Sequence, residues 1–189
     1  APLFDDDEIE NLKECLSSGW VTQGPFTAKF EQKVCAAQGF KHGLAVTSCT
    51  AALHIAAHAL KLGPGDEVIV PAFTWITSAN IAEYVGAKVV FVDVELETFN
   101  LDPKAVERAI TPNTKAIVAV HLFGLAASMD ELKAMADPKG IAIIEDAACA
   151  VGTTYKGKHV GAIGDIGCFS FHPRKAVTTG EGGMVSTDN

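Results

Sequence analysis

The residues best placed to do chemistry lie near the end of the chain, in Phe169-Ser-Phe-His-Pro-Arg-Lys-Ala-Val-Thr-Thr-Gly-Glu-Gly-Gly183. An apolar strand over residues 166–171 runs into a polar loop. The loop carries Lys175 beside Ser170 and His172, then small and hydroxyl residues, then a glycine-rich turn. A lysine in such a loop can form an imine with an aldehyde cofactor. A hydroxyl on the strand before it can hold a phosphate. An isolated loop lysine reads as a solvated surface residue, so the meaning of Lys175 depends on what the rest of the chain brings to it.

Three other stretches place polar or aromatic residues just beyond apolar runs. In Thr47-Ser-Cys-Thr-Ala-Ala52 a strand gives way to a helix over small hydroxyl residues. The amides of Cys49 and Thr50 and the hydroxyls of Ser48 and Thr50 can receive a dianion at that helix start; an ordinary N-cap by Ser48 is the plainer alternative. In Pro71-Ala-Phe-Thr-Trp-Ile-Thr77, Trp75 falls at the start of a helix, as a core aromatic or as a platform for a flat heterocycle. In Ile143-Ile-Glu-Asp-Ala-Ala-Cys149, Asp146 ends an apolar run. There it either caps a turn or pairs with a cation such as a protonated pyridine. Glu145 points to the opposite face of the same strand and is not counted as a site carboxylate. His121, at the end of another strand, reads as a structural hydrogen-bonder.

These residues need elements to position them. Helical spacing covers residues 5–17, with Ile9, Leu12 and Leu16 on one face, and resumes over 26–38. A regular alternation follows. Strands are expected over 42–47, 67–71, 88–94, 115–122, 141–145, 166–171 and 183–186. Helices are expected over 50–62, over 75–85, from Asp102-Pro103 onward and over 128–136. Residues 157–163 read as a loop or short hairpin. Strand–helix–strand repetition with continuous Val/Ile runs means an α/β fold with a buried, mostly parallel sheet, in which ligands gather at the carboxyl ends of strands. The short link between the last two strands leaves no room for a helical crossover, so that pair is expected to be antiparallel.

The bulk properties narrow the function classes. The 189 residues, 48% hydrophobic and 20% charged, suit one domain with a core of its own. A formal net charge of −8 argues against a nucleic-acid partner. No apolar run reaches the roughly 18–20 residues that a membrane span needs. Residues 1–8 lack the basic and apolar segments of a signal peptide. Five scattered cysteines form no CxxC pair and read as reduced thiols of a cytoplasmic protein rather than a disulfide or zinc framework. No metal is expected.

A phosphate cradle, a flat aromatic, a carboxylate and a lysine together suit pyridoxal phosphate. The chain also resembles the DegT/DnrJ/StrS sugar aminotransferases, pyridoxal-phosphate enzymes of fold type I. The resemblance is carried by Gly19-Trp-Val-Thr-Gln-Gly24, Thr47-Ser-Cys-Thr-Ala-Ala-Leu53, Pro71-Ala-Phe-Thr-Trp75, Val120-His-Leu-Phe-Gly124, Glu145-Asp-Ala-Ala148 and the closing stretch 169–183.

The resemblance implies the large cofactor-binding domain of that fold, a three-layer α/β/α sandwich, preceded by an N-terminal segment and lacking the family's small carboxyl-terminal domain. Lys175 would be the Schiff-base lysine and proton carrier, and Asp146 the partner of the pyridine nitrogen. Trp75 would stack on the ring, and Ser48, Cys49, Thr50 and Ser170 would hold the phosphate. Trp20, Thr22 and His172 would help shape the substrate pocket. The acceptor would be a keto sugar nucleotide, with glutamate as amino donor, at a site shared across a homodimer. Two positions depart from the family pattern: Cys49 stands where glycine is common, and Cys149 where glutamine or histidine often contacts the cofactor. A dehydration on the same fold is the alternative reaction, although related dehydratases carry histidine in place of the lysine. A non-catalytic module is the third reading.

Overall fold

The computed structural model describes residues 3–189; Ala1 and Pro2, at the start of the stretch read above for a signal peptide, lie outside the described residues. Two helices come first, α1 (Asp6–Ser17) and α2 (Pro25–Gln38). The side chain of Asp5 caps α1 and Glu8 returns the bond to the Asp5 N–H, a reciprocal capping box. The α1 stripe of Ile9, Leu12 and Leu16 finds no cover, and no residue of α1 is buried.

The alternating part then runs β1 (His42–Val46), α3 (Cys49–Ala59), β2 (Glu67–Pro71), α4 (Thr77–Tyr84), β3 (Lys88–Val92), α5 (Pro103–Ala109), β4 (Thr114–Val120), α6 (Met129–Ala136) and β5 (Ala142–Asp146). A small hairpin, β6 (Thr154–Tyr155) with β7 (Lys158–His159), precedes β8 (Ile166–Ser170) and β9 (Gly183–Thr187). Seven strands form one sheet in the order β1-β9-β8-β5-β4-β2-β3. Strand β9 is inserted antiparallel between β1 and β8, while β5, β4, β2 and β3 continue from β8 in parallel. The antiparallel closing pair is therefore as expected from its short connection.

The side chains alternate between two buried faces, which gives three layers. On one face Val68, Val70, Val118, Ile144 and Cys168 pack against Leu53 and Ala56 of α3 and Ile81 of α4. On the other, Ile69, Ile117 and Ile143 pack against Val106 of α5 and Leu132 of α6, and Phe169 and Met184 lie against Phe40 and the α2 side chains Phe30 and Val34. Strands buried on both faces have to be apolar at every position, which is why they read as continuous runs.

Several boundaries differ from the sequence reading. Helix α3 stops at Ala59 rather than at residue 62, because the chain turns through Lys61 in the left-handed region before Gly63. Helix α4 begins at Thr77, so Trp75 stands in the loop before it. Strand β3 ends at Val92; Val94 makes only an isolated bridge to Leu101. The hairpin spans residues 154–159 rather than 157–163, with Lys156 and Gly157 both at positive φ in its turn.

Candidate active site

The carboxyl ends of β2, β4, β5 and β8 open on one side of the sheet, and β1 leads into α3 on the same side. A cavity of about 520 Å³ lies there, lined among others by Ser48, Thr50, Trp75, Asp146, Ser170 and Lys175. Its size suits a cofactor-sized ligand.

Asp146 is the last residue of β5 and is 5% exposed. Its side chain leaves the sheet on the α3/α4 face. The Ser78 hydroxyl donates to Oδ2 at 2.7 Å and the Ala148 N–H to Oδ1 at 3.1 Å. Burial pushes the carboxyl above its ordinary range, against the opposing pull of those two donors and of the nearby His121 and Lys175 side chains. Ser78 escaped the sequence reading; a serine in the first turn of a helix carries no local sign that it will face a strand 68 positions away.

Glu145 leaves the opposite face and is completely buried. It accepts from the N–H groups of Gly161 at 2.8 Å, Ile163 at 2.8 Å and Gly164 at 2.6 Å, and meets His121 Nε2 at 2.8 Å. His121 Nδ1 accepts from the Ala127 N–H, so the ring proton sits on Nε2, facing Glu145. Burial raises the Glu145 carboxyl, but His121 and the backbone donors outweigh it and hold the group below its ordinary range. Both side chains are structural here, as their sequence positions suggested.

The start of α3 is built to leave donors free. Ser48 caps it, its Oγ accepting from the Ala51 N–H at 3.2 Å and its carbonyl from the Ala52 N–H at 3.0 Å. The other N–H groups of the first turn, those of Cys49 and Thr50, have no intrahelical acceptor, and both residues line the cavity. Gly183 makes this arrangement possible. A Cβ there would stand 2.3 Å from the Ser48 carbonyl carbon, so glycine is needed where β9 passes beneath the helix start. Cys49 fits as a buried thiol, 4.0 Å from Asp146 Oδ1. Burial, then the Asp146 charge, pushes this thiol well above its ordinary range, so it stays neutral.

Lys175 lies in the loop between β8 and β9, and the loop is tied at its neck. The Phe171 N–H donates to the Gly182 carbonyl at 2.9 Å. The Phe171 carbonyl accepts from the Thr178 hydroxyl at 2.9 Å and the Thr179 N–H at 3.0 Å. The Lys175 N–H closes a turn on the His172 carbonyl. The two threonines of the motif thus hold the loop that presents the lysine. Nζ is 3.1 Å from Sγ of Cys149, the solvent-exposed thiol beyond Asp146.

Ser170, Cys49, Thr50, Trp75, Asp146, His172 and Lys175 all line the same cavity. Trp75 is 76% exposed at its mouth, leaving most of the indole open to a stacked ring. Trp20 and Thr22 do not line it. Trp20 turns inward on its own loop, its Nε1–H donating to the Gln23 carbonyl at 2.7 Å, and a Cβ on Gly24 would collide with the indole. The sequence reading also passed over Arg174 and Thr74, which line the cavity.

This donor set fits pyridoxal phosphate. A buried carboxylate with no ion-pair partner among the described residues, helix-start amides with hydroxyls beside them, an open aromatic face and a lysine share one cavity, and each matches a different edge of that molecule.

A profile of the DegT/DnrJ/EryC1/StrS aminotransferase family matches residues 2–189. Three solved structures are informative. The Streptococcus pneumoniae protein Spr1654, assigned as a sugar aminotransferase and solved in PLP and PMP forms, is 36% identical, with a TM-score of 0.95 over 100% of this chain and 51% of its own in the PMP form. A 3-amino-5-hydroxybenzoic acid synthase is 44% identical, with a TM-score of 0.95 over 100% of this chain and 50% of its own. GDP-4-keto-6-deoxymannose-3-dehydratase with bound GDP-perosamine is 31% identical, with a TM-score of 0.96 over 100% of this chain and 50% of its own. The chain spans about half the length of these relatives. With a match from residue 2 to residue 189, and with the cavity described above, it belongs to the DegT/DnrJ/EryC1/StrS aminotransferase family, whose members depend on pyridoxal phosphate.

Proposed function

We propose that the protein transfers an amino group from glutamate to a keto sugar nucleotide, using Lys175. The observation that carries this reading is the placement of Lys175 in one cavity with Asp146 and the start of α3. When bound, pyridoxal phosphate supplies an aldehyde and an electron-accepting ring. Lys175 would hold that aldehyde covalently and, once freed, carry protons between the substrate and cofactor carbons. Asp146 would keep a proton on the ring nitrogen, and that cation would offset the burial that raises its carboxyl. The amides of Cys49 and Thr50, with the hydroxyls of Ser48, Thr50 and Ser170, would bind the phosphate. Trp75 would cover one face of the ring. His172 and Arg174, on the cavity wall beside Lys175, would face the substrate.

Supporting the acceptor class is the likeness to Spr1654, whose assignment names a sugar aminotransferase. The synthase among the relatives makes an aminated benzoic acid by name, so the acceptor panel should include cyclic ketones that are not sugars. The likeness to a dehydratase supports a second reading, elimination on a keto sugar nucleotide. We further propose action as a cytoplasmic homodimer with shared sites; no helix among the described residues is long and apolar enough to cross a membrane.

The full chain should show the absorbance band of lysine-bound cofactor, and Lys175→Ala should abolish it. A band that persists in the variant sinks the lysine assignment. Mass analysis of products from keto sugar nucleotides and glutamate separates the reactions: a gained amino group supports transfer, while loss of oxygen with no retained nitrogen supports elimination.

A further inference from the structure

The Ser78 hydroxyl is fully buried between two oxygens. Asp146 Oδ2 is 2.7 Å away and Thr74 Oγ1 is 3.1 Å away, and in the second contact either hydroxyl can be the donor. A hydroxyl has a single proton to give. While Asp146 is ionised, Ser78 must donate to it, and Thr74 must then donate to Ser78. While Asp146 is protonated, its own O–H can donate to Ser78, which then turns its proton to Thr74. The direction of the pair therefore follows the charge on Asp146.

The backbone of the α4 start does not need this pair. The N–H groups of Ser78 and Ala79 go to the carbonyls of Trp75 and Ile76. Thr74 immediately precedes Trp75, and both line the cavity. Other titratable groups also act on Asp146: Cys49 from α3, Cys168 from β8, His121 after β4 and Lys175 from the loop. Among the described residues, Ser78 is the donor to Oδ2, while Ala148 and the more distant Cys49 thiol serve Oδ1.

We propose that Thr74 and Ser78 form a positioning relay that holds Asp146 in its ionised, cofactor-pairing state and ties that state to the segment carrying Trp75. The cofactor half of this inference rests on the pyridoxal-phosphate reading above. The hydroxyl half is independent of it and is tested without cofactor.

The Asp146 carboxyl carbon is followed by NMR across pH in the cofactor-free full chain, in wild type and in Ser78→Ala, Ser78→Thr and Thr74→Val. The titration midpoint should move upward in Ser78→Ala, return toward wild type in Ser78→Thr, and move upward by a smaller step in Thr74→Val. An unmoved midpoint in Ser78→Ala overturns the relay, even where melting temperature falls, because packing loss alone would leave Asp146 unchanged. Should Ser78→Thr misfold, Thr74→Val still decides the matter, since it deletes a donor without touching Asp146. Pyridoxal phosphate affinity, read by absorbance titration, should fall roughly tenfold in Ser78→Ala, as for loss of one hydrogen bond to a charged group. A shifted midpoint with unchanged affinity overturns the link to the cofactor. It leaves the pyridoxal-phosphate reading intact, because that reading stands or falls with the Lys175→Ala band.

Discussion

At the end of β5, Glu145 and Asp146 leave opposite faces of the sheet and meet different surroundings. Glu145 receives three backbone N–H groups and His121, and its charge is fully answered within the chain. Asp146 receives Ser78, one backbone N–H and the more distant Cys49 thiol, and burial still dominates its proton affinity. Burial alone therefore does not distinguish a structural carboxylate from a working one. The distinction lies in whether the fold supplies enough donors. Glu145 organises the turn at 161–164 and asks for nothing further. Asp146 is left with an electrostatic deficit that a protonated ring nitrogen would fill.

The hardest test of this contrast is Glu145→Ala. It strands His121 and three backbone donors, and should destabilise the chain by about 3–5 kcal/mol in urea denaturation. A loss below about 1 kcal/mol would remove Glu145 from its structural role. Asp146→Asn should do the reverse. Amino transfer should fall roughly a hundredfold to a thousandfold, the scale for removing a preorganised charge, while the cofactor-free protein becomes more stable at neutral pH.

The pH dependence carries the signs. The raised Asp146 carboxyl keeps its proton longer in the folded than in the unfolded chain. Stability should therefore fall as pH rises from the ordinary aspartate range through the folded value, and bound cofactor should flatten that fall. The lowered Glu145 carboxyl contributes stability that is present above the ordinary glutamate range and lost as pH drops through its folded value. Melting curves of the two variants, subtracted from wild type, should slope in opposite directions with pH; parallel slopes would dissolve the comparison.

A smaller effect is expected where the phosphate end meets the sheet. Gly183→Ala forces a Cβ against the Ser48 carbonyl. It should cost about 1–3 kcal/mol by overpacking and weaken cofactor binding, with the Asp146 titration unmoved. The smallest effect should come from Cys149→Ser. This swaps the thiol at 3.1 Å from Lys175 Nζ for a hydroxyl, so one acceptor replaces another, and cofactor affinity should change by less than about tenfold. A larger change would mean that Cys149 takes part in holding the cofactor.

Much of the architecture was readable because sheet burial on both sides forces runs such as Val68-Ile-Val70 and Ile117-Val-Ala-Val120. Lys175 and Asp146 could be singled out because strand ends and a dense local motif mark them, and the structure brings them to one cavity. The opposed orientations of Glu145 and Asp146 followed from strand alternation alone. What alternation could not reveal was which loops reach each face. The backbone donors of Glu145 lie in the segment 161–164, and Ser78 reaches Asp146 from the start of α4. These partnerships exist only after β5 is seated between β4 and β8. Trp20 and Thr22 show the opposite limit: their motif fixes a local loop, and its distance from the cavity is a property of tertiary placement.

The position of β9 also governs when the site can come into being. Strand β1 pairs with β9 from His42↔Thr187 to Val46↔Gly183, and the Lys41 N–H reaches Asp188 across 147 positions. Until β9 is made, β1 lacks its one sheet partner among the described residues, and the α3 start lacks the Gly183 backbone that packs against Ser48. Pairing so remote in sequence is slow to form, while the lysine loop is drawn shut by the same event. The cofactor pocket is thus a product of β9 docking between β1 and β8, and a ligand that recognises only the closed form would act as a latch on that pairing.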